Sequence, residues 1–304
     1  MQRRQTLAFT AFAAVAAAIA PLGKAARADV VIRTRDGAVH RVPVNPQDIT
    51  SIEMVPGASA PGAPPVVAAP VTPGATGGAQ VGLPWVVNNG ASIYRGDGRS
   101  WQQLPGNGQD IGVGADGSVW VIGTNSAPGG FGIWRWAGSN WVQVDGGAVR
   151  IAVDGRGEPW VVNSEGRIFH RRANAWRELP GRAIDIGAGA GSEVWVVGTD
   201  SVPGGSSLFR WNGSQWDKVD GAAARIAVGP DGNPWVVNNE GRIYRRQANA
   251  WTELPGRARD IAVSSNGTAW VIGTDAVPGG SSVLYWNGSS WVRIDGGAVG
   301  IASR

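Results

Sequence analysis

Residues 110–144 read DIGVGADGSVWVIGTNSAPGGFGIWRWAGSNWVQV and contain four short β-type segments in succession. The four candidate strands are residues 110–114, 118–122, 133–136 and 140–144. Between the first two, Asp116-Gly117 is a hairpin-turn signal. The later segments alternate and are rich in Val, Ile and Trp, as strands are. The stretch therefore predicts a four-stranded antiparallel sheet.

This unit recurs along the chain on two ladders of tryptophan with spacings of 35 and 40 residues. The second segment of each unit supplies Trp85, Trp120, Trp160, Trp195, Trp235 and Trp270. The fourth segment supplies Trp101, Trp141, Trp176, Trp216, Trp251 and Trp291. Repeats of this length with Gly-rich turns are typical of propellers. The sequence thus predicts an all-β fold, a six-bladed β-propeller over residues 81–304, with the first ladder in its core.

The two unit lengths differ at one turn. The longer unit has residues 123–130 where the shorter has the tighter turn 163–166, so the duplicated module is a pair of blades 75 residues long. At the ends of the array, residues 299–303 resemble a first strand, whereas the segment around Trp85 begins as a second strand. We expect the C-terminal strand to be the innermost strand of a blade completed by residues 81–106, because such a clasp removes open sheet edges.

The N-terminal segment carries Arg3-Arg4, an apolar stretch over residues 7–22 and Ala26-Arg27-Ala28. This pattern predicts a signal peptide over residues 1–28, cleaved after Ala28, for either the twin-arginine route, which Arg3-Arg4 resembles, or the Sec route. The alternative is a membrane anchor, but the apolar run is shorter than the roughly 20 residues that a span requires. We therefore expect a periplasmic or secreted protein without a stable membrane span after cleavage.

Two further segments precede the predicted propeller. Residues 29–55 predict a small β hairpin, with strands at 30–34 and 39–44 and a third candidate strand at 49–54. Residues 56–80 are a Pro/Ala/Gly-rich linker without charge. The hairpin is the segment through which an envelope protein partner could be bound.

Charge and composition exclude several classes of function. The net charge of +4 falls to zero once the four basic residues of 1–28 are removed, so the mature chain has no electrostatic signature of nucleic-acid binding. The absence of Cys excludes disulfides and thiolate metal sites. We expect no cofactor and no metal.

The repeats resemble the tectonin family. The resemblance rests on WRELPGRAIDIGAGAGSEVWVV at residues 176–197 and on PWVVNNEGRIYRR at 234–246. It implies a six-bladed propeller, and it implies either a lectin for bacterial or modified surface sugars or an intracellular scaffold. One departure concerns the residue after the second-strand Trp, often Gly in the family. Here it is Val121, Val161, Val196, Val236 and Val271.

Catalysis has few candidate residues. The two histidines are His40 and His170, and His170 takes the repeat position held elsewhere by Arg95, Arg135, Arg210, Arg245 and Tyr285. A residue in a column of Arg is better interpreted as a polar strand position than as a general base. The sequence predicts a protein that is not an enzyme.

The binding-site prediction rests on Trp136, Trp211 and Trp286, which recur every 75 residues where the alternate units carry Gly96, Arg171 and Arg246. A position that accepts Arg or Gly suggests an exposed ring suited to sugar stacking, and the alternative is structural capping of the outer edge. Side chains on the face that bears the second-to-third-strand turns, from both the short and the long units, would orient the sugar hydroxyls: Asn125, Asp200, Asp275, Asn163, Glu165, Asn238, Glu240, and Arg182 and Arg257 before the first strands. Turn chemistry is the competing explanation for the Asn and Asp residues.

A second constellation precedes the Ile of each first strand and alternates in charge: Asp110, Arg150, Asp185, Arg225, Asp260 and Gly300. It predicts either a ring of ion pairs or, at Gly300, a site for a small polar ligand. Together these features predict an exported lectin-like propeller with repeated, multivalent sites for a surface glycan or lipopolysaccharide-type sugar. The alternative is a cell-envelope scaffold for protein–protein interaction without sugar binding.

Overall fold

The computed structural model describes strands within residues 5–44 and then residues 83–97, 100–191 and 193–304, and it describes side chains in the last three ranges only. The chain divides into two compact units, residues 1–68 and residues 69–304. Within the described residues, no helix is long and apolar enough to cross a membrane.

The first unit contains one four-stranded antiparallel sheet in the order β1-β2-β3-β4. Its strands are β1 (Gln5–Ala11), β2 (Ala13–Ile19), β3 (Ala28–Thr34) and β4 (Val39–Val44). β3 and β4 pair where the sequence predicts a hairpin. β1 and β2 lie within residues 1–28, for which the export signal stays a prediction. The candidate strand 49–54 and the linker 56–80 lie outside the described residues.

The second unit contains the remaining strands. The first of them are β5 (Pro84–Val87), β6 (Ser92–Gly96), β7 (Trp101–Asn107), β8 (Asp110–Val113), β9 (Val119–Ala127), β10 (Gly130–Trp136), β11 (Trp141–Ala148), β12 (Arg150–Val153), β13 (Pro159–Val162), β14 (Arg167–Arg172) and β15 (Ala175–Ala188). The rest are β16 (Val194–Val202), β17 (Gly205–Trp211), β18 (Trp216–Ala223), β19 (Arg225–Val228), β20 (Pro234–Val237), β21 (Ile243–Gln247), β22 (Ala250–Leu254), β23 (Asp260–Val263), β24 (Ala269–Val277), β25 (Gly280–Trp286), β26 (Trp291–Ala298) and β27 (Gly300–Ser303).

These strands form an all-β propeller with four four-stranded sheets and one seven-stranded sheet. We divide them into six quartets, each running from its innermost to its outermost strand: A (β27, β5, β6, β7), B (β8 to β11), C (β12 to β15), D (β15 to β18), E (β19 to β22) and F (β23 to β26). The sequence predicts six separate sheets, whereas this part of the chain has five. The reason is that β15 has no break, since residues 175–182 pair with β14 and residues 183–188 pair with β16.

The clasp predicted for the chain ends is present. β27 pairs antiparallel with β5, placing Ile301 opposite Val86. The innermost strands β8, β12, β15, β19, β23 and β27 contact one another in that order, and β27 contacts β8. At one end they surround a cavity of only about 20 Å³, which residues such as Val113, Val153 and Ser303 line. The innermost strands therefore surround one axis.

The core lies between neighbouring quartets. The six tryptophans of the first ladder are between 3% and 7% exposed, and the Val residues that flank them are buried as well. The largest fully buried side chains include Ile93, Ile122, Ile133 and Ile168. The prediction that the first ladder fills the core is therefore confirmed.

The second ladder fastens each quartet to the one before it. The indole N–H of each second-ladder Trp, which is the first or second residue of its outermost strand, donates to a backbone carbonyl in or directly after the outermost strand of the preceding quartet. The six bonds are Trp101 to Asp295 (2.5 Å), Trp141 to Pro105 (2.7 Å), Trp176 to Asp145 (2.8 Å), Trp216 to Pro180 (2.8 Å), Trp251 to Asp220 (3.0 Å) and Trp291 to Pro255 (2.7 Å). We call these bonds the indole latches. The bond from Trp101 joins quartet A to quartet F, so the six bonds form a closed ring around the propeller.

A glycine follows every latch carbonyl, and its backbone explains the recurring Pro-Gly and Asp-Gly dipeptides. These residues are Gly106, Gly146, Gly181, Gly221, Gly256 and Gly296, all with positive φ. Residues with a Cβ disfavour this conformation. A Cβ added at Gly221 would also lie 2.8 Å from Nε1 of Trp251. The glycine therefore supplies both the turn and the space for the next quartet's indole.

Two glycines of quartet D allow the backbone strain of a substituted glycine to be measured separately from its clash with the indole. Gly221 has φ of 106° and Gly213 has φ of 103°, but a Cβ at Gly213 would meet nothing within 4 Å. Both Gly→Ala variants carry similar backbone strain, whereas only Gly221→Ala displaces the indole of Trp251. We expect its Tm to be several degrees below that of Gly213→Ala, since 1 kcal/mol shifts Tm by about 2–4 °C in a domain of this size. Equal thermal melts of the two variants would show that the latch adds nothing to stability.

The start of each innermost strand carries the alternating charges. The carboxylates of Asp110, Asp185 and Asp260 accept the backbone N–H of the next innermost strand, at Ile151 (2.8 Å), Ile226 (2.8 Å) and Ile301 (3.0 Å). Arg150 lies 4.0 Å from Asp110 and 3.5 Å from Asp185, and Arg225 lies 3.9 Å from Asp260. The alternating ring predicted from the sequence is thus formed, while a ligand at Gly300 stays a prediction.

Gly300 takes the ring position where a third Arg is expected, so the ring contains three Asp and two Arg residues. The pKa of Asp260 is raised from 3.8 to about 7, first by burial and then by the nearby carboxylates of Asp110 and Asp185, while Arg225 and Arg150 oppose the rise. Burial likewise raises the pKa of Asp110 to about 6, against the attraction of Arg150. No atom lies closer than 3.9 Å to a Cβ built at Gly300, so an additional side chain has room there.

The raised pKa of Asp260 makes stability depend on pH. Because the folded state holds this proton more tightly than the unfolded state, stability falls as pH rises from about 4 through about 7. Asp260→Asn still offers an oxygen to the N–H of Ile301 but carries no charge. We expect its Tm to exceed that of wild type at pH 8 and to approach it near pH 4. Gly300→Arg, which adds the missing cation, should also raise Tm at pH 8, and a lower Tm for both variants would contradict this account.

Candidate functional site

The three tryptophans of the predicted site do not stand free in solvent. Trp136, Trp211 and Trp286 are half-buried and tilt against the first residue of the adjacent outermost strand, with ring-centroid distances of 4.9, 4.9 and 5.1 Å. Trp136 also meets Trp85 edge-on at 6.5 Å. Each ring is only partly accessible to solvent, because it packs against the indole that forms a latch, and its role in sugar binding stays a prediction.

The alternate quartets show why an Arg at this repeat position does not indicate an exposed side chain. Arg246 is 7% exposed, lies 5.3 Å from the ring centre of Trp251 and bonds to Asp220 at 2.7 Å. Arg171 repeats this arrangement with Trp176 at 5.4 Å and Asp145 at 2.7 Å. An Arg in this column is thus a partly buried ion pair resting on an aromatic face, rather than a sign of exposure.

The short hairpins of quartets C and E hold four of the predicted site residues, and Arg182 and Arg257 lie beside them, in β15 and after β22. Asn163 and Asn238 are buried, and the oxygen of each accepts two backbone N–H groups of its own turn. Turn chemistry therefore explains both residues. The other four are exposed: Glu165, Glu240, Arg182, which donates to the carbonyl of Glu165, and Arg257, which donates to the carbonyl of Gly256 at 3.4 Å.

Ion pairs occupy the aromatic surface beside these short hairpins. In quartet C, the guanidinium of Arg167 lies 5.5 Å from the ring centre of Phe169 and pairs with Glu178. In quartet E, Arg242 pairs with Glu240 at 2.9 Å, and the hydroxyl of Tyr244 lies 3.2 Å from Glu253. The charged side chains at these positions are therefore paired with one another within the protein.

The long hairpins of quartets B, D and F differ from one another. In quartet D, Asp200 accepts from the hydroxyl of Ser207 at 2.5 Å and pairs with Lys218 at 3.4 Å, and that ammonium lies 5.9 Å from the ring centre of Phe209. In quartet F, Asp275 is exposed on the equivalent loop. In quartet B, the oxygen of Asn125 accepts the indole N–H of Trp134 at 3.1 Å.

A pocket of about 210 Å³ opens between quartets A and B. It is lined by Ile93, Gly106, Asn107, Val121, Thr124, Asn125, Trp134 and Trp141. None of these side chains is charged. Of the twelve predicted site residues, Asn125 lines this pocket, and the other eleven lie elsewhere on the propeller.

Trp134 lines this pocket but is not among the site residues predicted from the sequence. Its repeat equivalents are Tyr94, Phe169, Phe209, Tyr244 and Leu284, all partly exposed. Trp134 belongs neither to the two tryptophan ladders nor to the series of Trp136, Trp211 and Trp286. A tryptophan that does not recur in the repeat could have identified this position from the sequence. Its pocket partners Gly106 and Asn107 belong to the preceding quartet, so their proximity could not be derived from quartet B alone.

His170 occupies its column as a ring stacked on a first-ladder tryptophan. It lies parallel to Trp160 with centroids 3.8 Å apart, and its Nε2 is 3.1 Å from the carboxylate of Glu158. Burial lowers the pKa of His170, while the charges of Glu158 and Asp154 oppose that change. In three other quartets an Arg lies over the equivalent tryptophan: Arg135 at 5.7 Å, Arg210 at 6.0 Å and Arg245 at 5.1 Å from the ring centre.

Known proteins with similar sequences share the repeat. Tectonin-2 of Physarum polycephalum is 37% identical over 76 residues, which is 25% of this chain and 20% of that protein. Tectonin-1 of the same organism is 38% identical over 71 residues, which is 23% of this chain and 30% of that protein. The chain therefore matches less than a third of either relative. A solved structure described as YCF48 bound to D1 peptide is 17% identical with a TM-score of 0.45, over 70% of this chain and 79% of that one.

The family assignment comes from the tectonin domain, whose family model matches residues 75–202, 151–232 and 184–276. These matches overlap and together cover more than half of the chain. They fall on the propeller strands, where the tryptophan ladders and the Pro-Gly and Asp-Gly turns recur. This chain belongs to the tectonin domain family.

Proposed function

We propose that this chain is a six-bladed, carbohydrate-binding propeller that acts by binding rather than by catalysis. The six quartets are its blades, and the seven-stranded sheet is two blades that share β15. Three observations support this number: the closed order of the innermost strands, the six indole latches and the pairing of β27 with β5.

The sugar site in this proposal is the uncharged pocket between quartets A and B. Sugars present apolar C–H faces and neutral hydroxyls, and aromatic rings with nearby amides suit both features. Here Trp134 and Trp141 supply the aromatic rings, while Asn107, Thr124 and Asn125 supply polar groups. A pocket of about 210 Å³ is small enough to select a single sugar unit. This pocket is the observation that carries the proposal.

The equivalent places on the other long hairpins have different chemistry. Asp200 and Lys218 fill that of quartet D, and Asp275 adds a charge to that of quartet F. We therefore propose one neutral sugar site rather than three identical sites, which revises the multivalent arrangement expected from the 75-residue repeat. We further propose that the ligand is a surface glycan or lipopolysaccharide-type sugar, met in the periplasm or outside the cell if residues 1–28 direct export.

The scaffold alternative requires a broad apolar surface. Among the described residues, the large apolar side chains that are exposed are Val142, Ile184 and Val299, and they lie on different quartets. Scattered residues of this kind are normal on a soluble surface. The described surface therefore favours the sugar-binding proposal, and an envelope partner for residues 29–55 remains a separate proposal.

Substituting Trp134 tests the site directly. Trp134→Leu introduces the residue that quartet F carries as Leu284, so the blade is expected to fold. A glycan array on the wild-type protein identifies a sugar, and calorimetric titration then compares affinities. We expect Trp134→Leu to weaken binding at least about ten-fold, equivalent to about 1.4 kcal/mol, with little change in Tm.

Two matched variants serve as controls. Phe209→Leu makes the same kind of change in quartet D and should leave the affinity unchanged. Trp211→Ala, which removes a half-buried ring packed on Trp216, should lower Tm without altering the affinity. Full affinity in Trp134→Leu, or loss of affinity in Phe209→Leu, would place the sugar site elsewhere.

A further inference from the structure

Quartet C contains a mixed cluster of metal-ligand side chains that the sugar-binding proposal does not use. Asp154 and Glu158 lie on the turn between β12 and β13, and His170 lies on β14. A carboxylate oxygen from each acid and a ring nitrogen of His170 all lie within 4.8 Å of one another. We propose that Asp154, Glu158 and His170 form a binding site for a divalent transition-metal ion such as Zn²⁺.

The three donors are held in position by contacts of their own. Oδ1 of Asp154 accepts the backbone N–H groups of Arg156 (2.9 Å) and Glu158 (3.1 Å), which shapes the turn. Oδ2 of Asp154 accepts the indole N–H of Trp160 at 3.2 Å. The same indole stacks on His170 at 11° between planes and so fixes the orientation of the imidazole. Such neighbours keep a ligand set preorganised for a metal.

The distances and the donor types fit a transition metal. Nε2 of His170 lies 3.1 Å from Oε2 of Glu158, which is the separation of adjacent ligands on an ion with metal–ligand distances of roughly 2.0–2.2 Å. One imidazole with two carboxylates is a ligand set for Zn²⁺, Ni²⁺, Cu²⁺ or Fe²⁺.

The surrounding charges favour a cation. Asp116 of quartet B lies against this turn, since a Cβ added at Gly157 would be 2.2 Å from its Oδ2. The nearest side-chain cation to Glu158 is Arg172, whose Nε lies 3.6 Å from Oε1 and whose side chain is 69% exposed. Arg172 therefore engages the oxygen that faces away from His170 and can move into solvent.

The cluster occurs in one quartet only among the described blades. The residues equivalent to Asp154, Glu158 and His170 are Gly114, Ser118 and Arg135 in B, Gly189, Glu193 and Arg210 in D, Gly229, Asn233 and Arg245 in E, and Ser264, Thr268 and Tyr285 in F. None of these sets combines an imidazole with two carboxylates. The repeat therefore supplies the scaffold, and three local substitutions supply the ligands.

The test uses the full, untagged chain with Zn²⁺, Ni²⁺ and Cu²⁺ as separate probes. Isothermal titration measures Zn²⁺ affinity, and quenching of tryptophan fluorescence by Cu²⁺ or Ni²⁺ reports proximity to Trp160. We expect one equivalent of Zn²⁺ to bind and to raise Tm. His170→Arg, which restores the residue of the other quartets, should lower the affinity at least 100-fold and abolish the rise in Tm while the blade stays folded.

His40→Gln is the matched control, because His40 is the other histidine of the chain. It should leave Zn²⁺ affinity and quenching unchanged, and Glu158→Gln should weaken binding at least ten-fold. The proposal is overturned if the wild-type chain binds none of the three ions at millimolar concentration, or if His170→Arg binds Zn²⁺ as tightly as wild type.

Discussion

The structure depends on one repeated hydrogen bond, from the indole N–H of each second-ladder Trp to a backbone carbonyl of the preceding quartet. An intramolecular hydrogen bond contributes roughly 0.5–1.5 kcal/mol to stability, and this bond is repeated between each pair of successive quartets. That carbonyl faces the indole because a positive-φ glycine follows it. The second-ladder tryptophans, the Pro-Gly and Asp-Gly dipeptides and the junctions between successive quartets all meet at this bond.

The contacts beside the latches alternate, and this alternation explains the 75-residue module. Where the latch carbonyl belongs to Pro105, Pro180 or Pro255, the neighbouring side chain is Trp136, Trp211 or Trp286. Where it belongs to Asp145 or Asp220, the neighbour is an Arg that pairs with the acid. Quartet A breaks both this series and the inner ring, because Gly96 and Gly300 stand where an Arg is expected. The break falls on the quartet assembled from the two chain ends.

Features set by local spacing could be predicted from the sequence, and features set by neighbouring quartets could not. The ladders predicted the strand order, the buried first-ladder tryptophans and the clasp of β27. The burial of Arg246 was missed because its partner Asp220 lies 26 residues upstream on another sheet. The pocket of Trp134 and the cluster of Asp154, Glu158 and His170 were not predicted for a similar reason, since each requires residues brought together by turns and strand pairing. The register of the repeat predicts where a residue lies within its own quartet, but it does not predict which residues of a neighbouring quartet that residue contacts.

The central claim is that the propeller is a closed ring whose last strand completes its first quartet. The most direct measurement compares the thermal stability of two truncated chains, one lacking residues 299–304 and one lacking residues 29–80. Removing β27 exposes the inner edge of β5 and opens the ring, so that chain should melt far below the full-length protein, whereas the other should melt close to it. Equal melting temperatures for the two truncated chains would contradict the closed ring.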